Sequence, residues 1–176
     1  MKTLNDHLAN YAAYHRDRRN IAIHSVGIPL IVLSVAVLLS RPRIENDWMS
    51  LSPATAVFGL ATLFYLRLDV RFGLGMSVVN IVSMVFGTWA AAQPTSTWLG
   101  LGLGLFSVGW VLQFIGHFWE GKKPAFLDDV MGLLIGPLFV AAEFAFALGW
   151  RGKIQDHIVQ TAGPTRLGPS ESQALR

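Results

Sequence analysis

The chain has 176 residues, of which 52% are hydrophobic and only 14% charged, against roughly a quarter charged in ordinary soluble domains. This composition excludes an ordinary soluble domain. The formal charge of +3 does not indicate nucleic acid as a partner, because the basic residues flank apolar segments, where membrane orientation and lipid headgroups account for them. With no cysteine in the chain, disulfides, iron–sulfur clusters and thiolate metal sites are excluded, and any metal must be held by imidazole and carboxylate.

Nearly half of the charged residues fall in segments 1–20 and 151–176, and the rest cluster between apolar stretches of about 20 residues, the length that crosses roughly 30 Å of hydrocarbon. In chain order, residues 3–15 place Leu4, Leu8, Tyr11 and His15 on one face of an amphipathic helix expected to lie on the membrane surface. Asn20 is the expected N-cap of a first crossing, Ile21–Leu39, whose length argues against a cleaved leader. A second crossing is expected over Trp48–Leu66, with Pro53 in its first turn. The charge-free stretch from Phe72 to Trp119 is too long for one helix, and Gln93 to Ser96 divide it into crossings near 74–92 and 98–118. The last apolar stretch, Val130–Trp150, contains Gly136, Pro137 and Glu143, and reads either as a fifth crossing or as a kinked, partly submerged helix. The expected fold is therefore all-α: a polytopic helical membrane protein with four to five transmembrane helices plus an N-terminal amphipathic helix. One helical membrane domain covers 1–160, and 161–176 form a disordered tail.

Arginine and lysine in the short loops favour a cytoplasmic N-terminus. His15 and His24 then flank the cytoplasmic start of the first crossing, and His117 ends the fourth on the same face. Nine residues at 100° each would set His15 and His24 on opposite sides of a continuous helix, so a shared site requires a break between them, and the run Arg16 to Asn20 supplies one. Gln113, His117 and Glu120, spaced four and three apart, share one helical face. Such groups at membrane depth are costly unless paired or metal-bound, and histidines with a carboxylate suit iron(II), zinc or manganese. Glu143 is expected to pair with a glutamine or histidine of a neighbouring helix, and His7 and His157 to be solvated. Arg16, Arg18, Arg19, Lys122 and Lys123 surround the expected site, either as an attractor for an anionic substrate or simply as loop residues on the cytoplasmic side. A haem held between His24 and His117, a proton-coupled transporter using Glu143, Asp69 and His117, and a non-enzymatic scaffold are the competing readings.

Two motifs carry a resemblance. The first is YHRDRRNIAIHSVGIPL, containing His15, Asn20, His24 and Pro29. The second is GWVLQFIGHFWEGKKPAF, containing Gln113, Gly116, His117 and Glu120, followed by GPLFVAAEFAFALG. Over about residues 8–150 the chain resembles the membrane 2-hydroxy fatty acid dioxygenases of fatty-acid α-oxidation, formerly a domain of unknown function. The resemblance implies an iron(II) enzyme that uses molecular oxygen to shorten a long-chain 2-hydroxy fatty acid by one carbon. His15, His24 and His117 would be the metal ligands, with Glu120 and Gln113 as the catalytic residues. Glu120 stands one residue nearer the histidine than the motif glutamate of characterised fungal members, a departure from the pattern that argues against Glu120 as a direct ligand. A bacterial inner-membrane location, with the active site on the cytoplasmic side, completes the expectation.

Overall fold

The computed structural model describes residues 2–46 and 49–166. Asp47, Trp48 and the tail beyond Arg166 lie outside them. The elements are α1 (Leu4–Ala12), α2 (Arg18–Ser40), β1 (Ile44–Asn46), β2 (Met49–Leu51), α3 (Pro53–Leu68), α4 (Val70–Ala91), α5 (Thr95–Glu120), a 3-10 turn at Ala125–Leu127, α6 (Met131–Ala147) and α7 (Gly152–Ala162). The architecture is that of a polytopic helical membrane protein with one two-stranded hairpin. Contacts divide the chain into residues 29–110 and a second unit made of 1–28 with 111–176.

In the unit 29–110, β1 and β2 pair antiparallel with Ile44 opposite Leu51. The expected second crossing therefore starts late. Ser52 and Thr55 cap each other's amides, Pro53 takes the first helical position, and α3 keeps only 16 residues. At 1.5 Å per residue this is about 24 Å, short of the roughly 30 Å of hydrocarbon. Asp69 ends α3 and begins α4, its carboxylate accepting the Phe72 amide at 2.9 Å. The two helices run back to back, with Asn80 Nδ2 donating to Thr62 Oγ1 at 2.8 Å. Trp98 Nε1 on α5 donates to the Val37 carbonyl of α2 at 2.8 Å. Leu60, Leu63, Ile81, Val82 and Val85 stay exposed, an apolar outer surface suited to lipid rather than water.

Among the described residues, α2, α4 and α5, with 23, 22 and 26 residues, are long and apolar enough to cross a membrane. By length α3 falls short of a crossing, and a fourth span, within the expected four to five, would come from α6. The latter is bent 116° from α7 across a break where Gly149 (φ 74) and Arg151 (φ 62) are left-handed. Arg166, beyond α7, bonds Glu120 at the end of α5, so the segment from 120 to 166 leaves and returns at one place. The 11 residues of α7, about 16 Å, are too few for a return crossing. Glu143, late in α6, pairs with Arg16, and Asp128, just before α6, accepts from Tyr14. Both ends of α6 therefore stay beside the N-terminal segment, and the chain is sharply kinked where α6 meets α7.

In the unit formed by 1–28 and 111–176, Thr3 and Asp6 form a reciprocal cap on α1. Its Leu4, Leu8, Ala9, Tyr11 and Ala12 are buried, with α6 and α7 as the packing partners. The apolar face expected to meet lipid is thus covered by protein, and burying each leucine is worth about 1.5–3 kcal/mol. Ile154 and Ile158 form the buried side of α7, an element the sequence reading does not contain. The helix expected to reach His15 stops at Ala12, and α2 begins at Arg18, two residues before the expected cap. Asp17 Oδ1 accepts the Arg19 amide at 2.9 Å in the manner of a cap, so Asn20 is free for another task.

Candidate metal centre

The five residues between α1 and α2 turn the chain so that His15, from the break, and His24, from the second turn of α2, face one another. His117, one turn before the end of α5, joins them. All three are buried, at 0%, 2% and 7% exposure. The ring centroids form a triangle with sides of 4.7 Å (His15 to His24), 5.0 Å (His15 to His117) and 4.9 Å (His24 to His117). One nitrogen of each ring lies within 4.8 Å of those of the other two.

The surrounding carbonyls fix which nitrogens carry protons. His15 Nδ1 is 2.8 Å from the Tyr11 carbonyl and His24 Nδ1 is 3.0 Å from the Asn20 carbonyl. A carbonyl only accepts, so Nδ1 is the protonated nitrogen in both rings and each Nε2 presents a lone pair. His15 Nε2 has no hydrogen-bond partner, and His24 Nε2 faces His117 Nε2 at 3.3 Å. Two nitrogens bound cis to one first-row ion at about 2.0–2.1 Å lie roughly 3.0–3.4 Å apart. Burial, followed by the neighbouring His24, holds His15 well below the ordinary imidazole range. It is therefore neutral near pH 7, the form that binds metal. The donor set fits a divalent first-row ion.

The walls hold the rings in place. Tyr11 stacks on His15 at 4.1 Å with planes 5° apart, and Phe139 of α6 packs against both. Gly116 lets α5 approach α2: a Cβ there would stand 2.8 Å from the His24 imidazole and collide with Asn20 Oδ1. Tyr11 also lines a cavity of about 270 Å³ with Lys2, His7, Asn10 and Asp129.

The two residues expected to be catalytic occupy different positions. Gln113 lies one turn before His117, buried, with Nε2 unpartnered. Glu120 is outside the three-histidine group, and its carboxylate is already occupied: Oε2 accepts the amides of Arg16 at 2.9 Å and Asp17 at 2.7 Å and Asn20 Nδ2 at 3.0 Å, and Oε1 accepts from Arg166 at 2.6 Å. Glu143 faces Arg16 at 3.9 Å rather than a glutamine or histidine. His7 and His157 are half-buried rather than solvated.

The basic residues expected around the mouth are largely committed to the fold. The Arg16 side chain is buried and donates to the carbonyls of Ala12, His15 and Gly163. Arg19 pairs with Asp17 at 2.8 Å and stacks on Trp119, Lys122 donates to the Ala13 carbonyl at 2.6 Å, and Lys123 pairs with Asp128 at 2.5 Å. A haem between His24 and His117 does not fit, because their Nε2 atoms are 3.3 Å apart, too close to ligate one iron from opposite sides at about 2.0 Å each, and the His15 ring packs edge-on against both. As residues of the site, Tyr11 and Arg166 escape the sequence reading, which places Tyr11 only on the apolar face of the first helix. The four-residue step from Tyr11 to His15 is a visible signal, whereas Arg166 has none.

A model for the family described as "2-hydroxy-palmitic acid dioxygenase Mpo1-like" matches residues 1–148. The chain belongs to the Mpo1-like family. In Saccharomyces cerevisiae, 2-hydroxy-palmitic acid dioxygenase MPO1 is 30% identical over 154 residues, covering 86% of this chain and 85% of the yeast protein. No solved structure matches. The Mpo1-like match spans all three histidines, Gln113, Glu120 and Glu143, and stops before α7 and Arg166.

Proposed function

We propose that this chain is an iron(II)-dependent dioxygenase that shortens long-chain 2-hydroxy fatty acids by one carbon at a membrane, with iron held by His15, His24 and His117. The observation that carries this reading is the triangle of buried imidazoles in a member of a family named for such a dioxygenase. Held by these three imidazoles, iron(II) with open positions would supply oxygen activation and a chelating site for a carboxylate and its neighbouring hydroxyl.

The protein's own groups do the rest. The carbonyls of Tyr11 and Asn20 keep the protons on Nδ1, so the Nε2 lone pairs are aimed before any ligand arrives. Tyr11 and Phe139 shield His15 from water. Gln113, on the α5 turn preceding His117, has an unsatisfied Nε2–H₂ group that donates to a carboxyl oxygen of the acid. The acyl chain lies in the apolar surroundings of the helices, where each buried methylene contributes about 0.8 kcal/mol, so affinity rises with chain length. The excess of arginine and lysine in the loops next to the N-terminus supports a cytoplasmic N-terminus and site in this reading, with a bacterial inner membrane as the proposed location.

The test is turnover of a long-chain 2-hydroxy acid by iron-loaded, detergent-solubilised protein in the presence of oxygen, followed by mass spectrometry. The acid one carbon shorter is the expected product, and the chain lacking the 2-hydroxyl is expected not to react because it loses one chelating atom. Equal consumption of both acids would overturn the chelation reading.

A further inference from the structure

Glu120 sits at the C-terminal end of α5, its side chain fully buried, where a carboxylate without partners would be costly. Its oxygens are shared out among the parts that position the imidazoles. Oε2 takes the amides of Arg16 and Asp17, which follow His15 directly, and the side chain of Asn20, whose own carbonyl holds His24 Nδ1. One carboxylate thus connects the supports of two imidazoles, and the same helix carries the third. Oε1 is held at 2.6 Å by Arg166. That arginine is fixed by its backbone: its amide donates to the Arg16 carbonyl at 2.7 Å and its carbonyl accepts from the Arg18 amide at 2.9 Å, a parallel bridge laid across the break between α1 and α2.

We propose that Glu120 and Arg166 are a positioning pair for the metal site, and that residues 163–166, after α7 and outside the family-matched residues, are a working part of that site. The proposal rests on the three-histidine metal reading. Arg166 neutralises Glu120 and orients it, Glu120 fixes the break, and the break sets His15 and His24 at the separation a single ion needs. Outer partners of this kind are worth about 10- to 100-fold in metal affinity. An arginine that only tied down the chain end would change stability without changing affinity.

The experiment uses the full-length protein in detergent, titrated anaerobically with iron(II), with amide exchange followed by mass spectrometry. Arg166→Ala and, as an isosteric second variant, Glu120→Gln are expected to weaken iron(II) binding about tenfold and to speed exchange at the amides of Arg16 and Asp17. Arg166→Lys is expected to restore most of the affinity. Lys153→Ala, on the exposed side of α7, is expected to bind like the wild type. Wild-type affinity in both Arg166→Ala and Glu120→Gln, or unchanged exchange at residues 16 and 17, would overturn the proposal. His117→Ala separates the two readings. Loss of iron there with retention in the pair variants sinks the positioning pair alone, whereas retention in His117→Ala sinks the metal reading and the pair with it.

Discussion

At the scale of single residues, the contacts around the imidazoles decide what each position tolerates. Gly116→Ala puts a methyl group 2.8 Å from the His24 ring, and overpacking of this kind costs about 1–3 kcal/mol. The expected outcome is a lower unfolding temperature together with lost metal, while Gly104→Ala, with open space around it, changes neither. Thermal unfolding and metal analysis of the two variants check this, and equal behaviour would mean that the α2–α5 approach does not depend on Gly116. The histidines were legible in the sequence because hydropathy placed them at matching helix ends. Glu120 was legible as a site residue but not in its role: spacing puts it on the face of His117, yet only the fold reveals that four donors claim its oxygens. Asn20 read as a cap by residue type, and Asp17 took that position because the chain turned three residues earlier than expected.

At the scale of elements, hydropathy found α2, α4, α5 and α6 and misplaced the ends of α3, since an apolar count cannot see that Ser52 and Thr55 cap each other or that residues 49–51 pair with 44–46. The α7 helix was missed because only Ile154 and Ile158 are buried on it, too few for a visible pattern. The α3–α4 hairpin makes its own prediction. Asn80→Ala removes the bond to Thr62, and such interhelical bonds average about 0.6 kcal/mol. A small loss of stability with unchanged metal content is expected, because Asn80 belongs to the unit that contains none of the three histidines. Metal lost in step with stability would show that the hairpin supports the site.

At the scale of the whole molecule, residue 166 returns to Glu120, so α7 is expected on the side of the membrane at which α5 ends. The chain has no cysteine, so single reporters can be read without background. Lys123→Cys and Lys153→Cys are expected to react with a membrane-impermeant maleimide from one side and Gln93→Cys from the opposite side. Labelling of residues 123 and 153 from opposite sides would mean that α6 crosses. The central claim is that His15, His24 and His117 together hold iron, and the measurement that tests it most directly is metal analysis of purified wild type, His117→Ala and His157→Ala. The account predicts iron in the wild type and in His157→Ala, whose imidazole lies on α7 outside the triangle, and none in His117→Ala. Iron retained in His117→Ala, or lost equally from both variants, would contradict it.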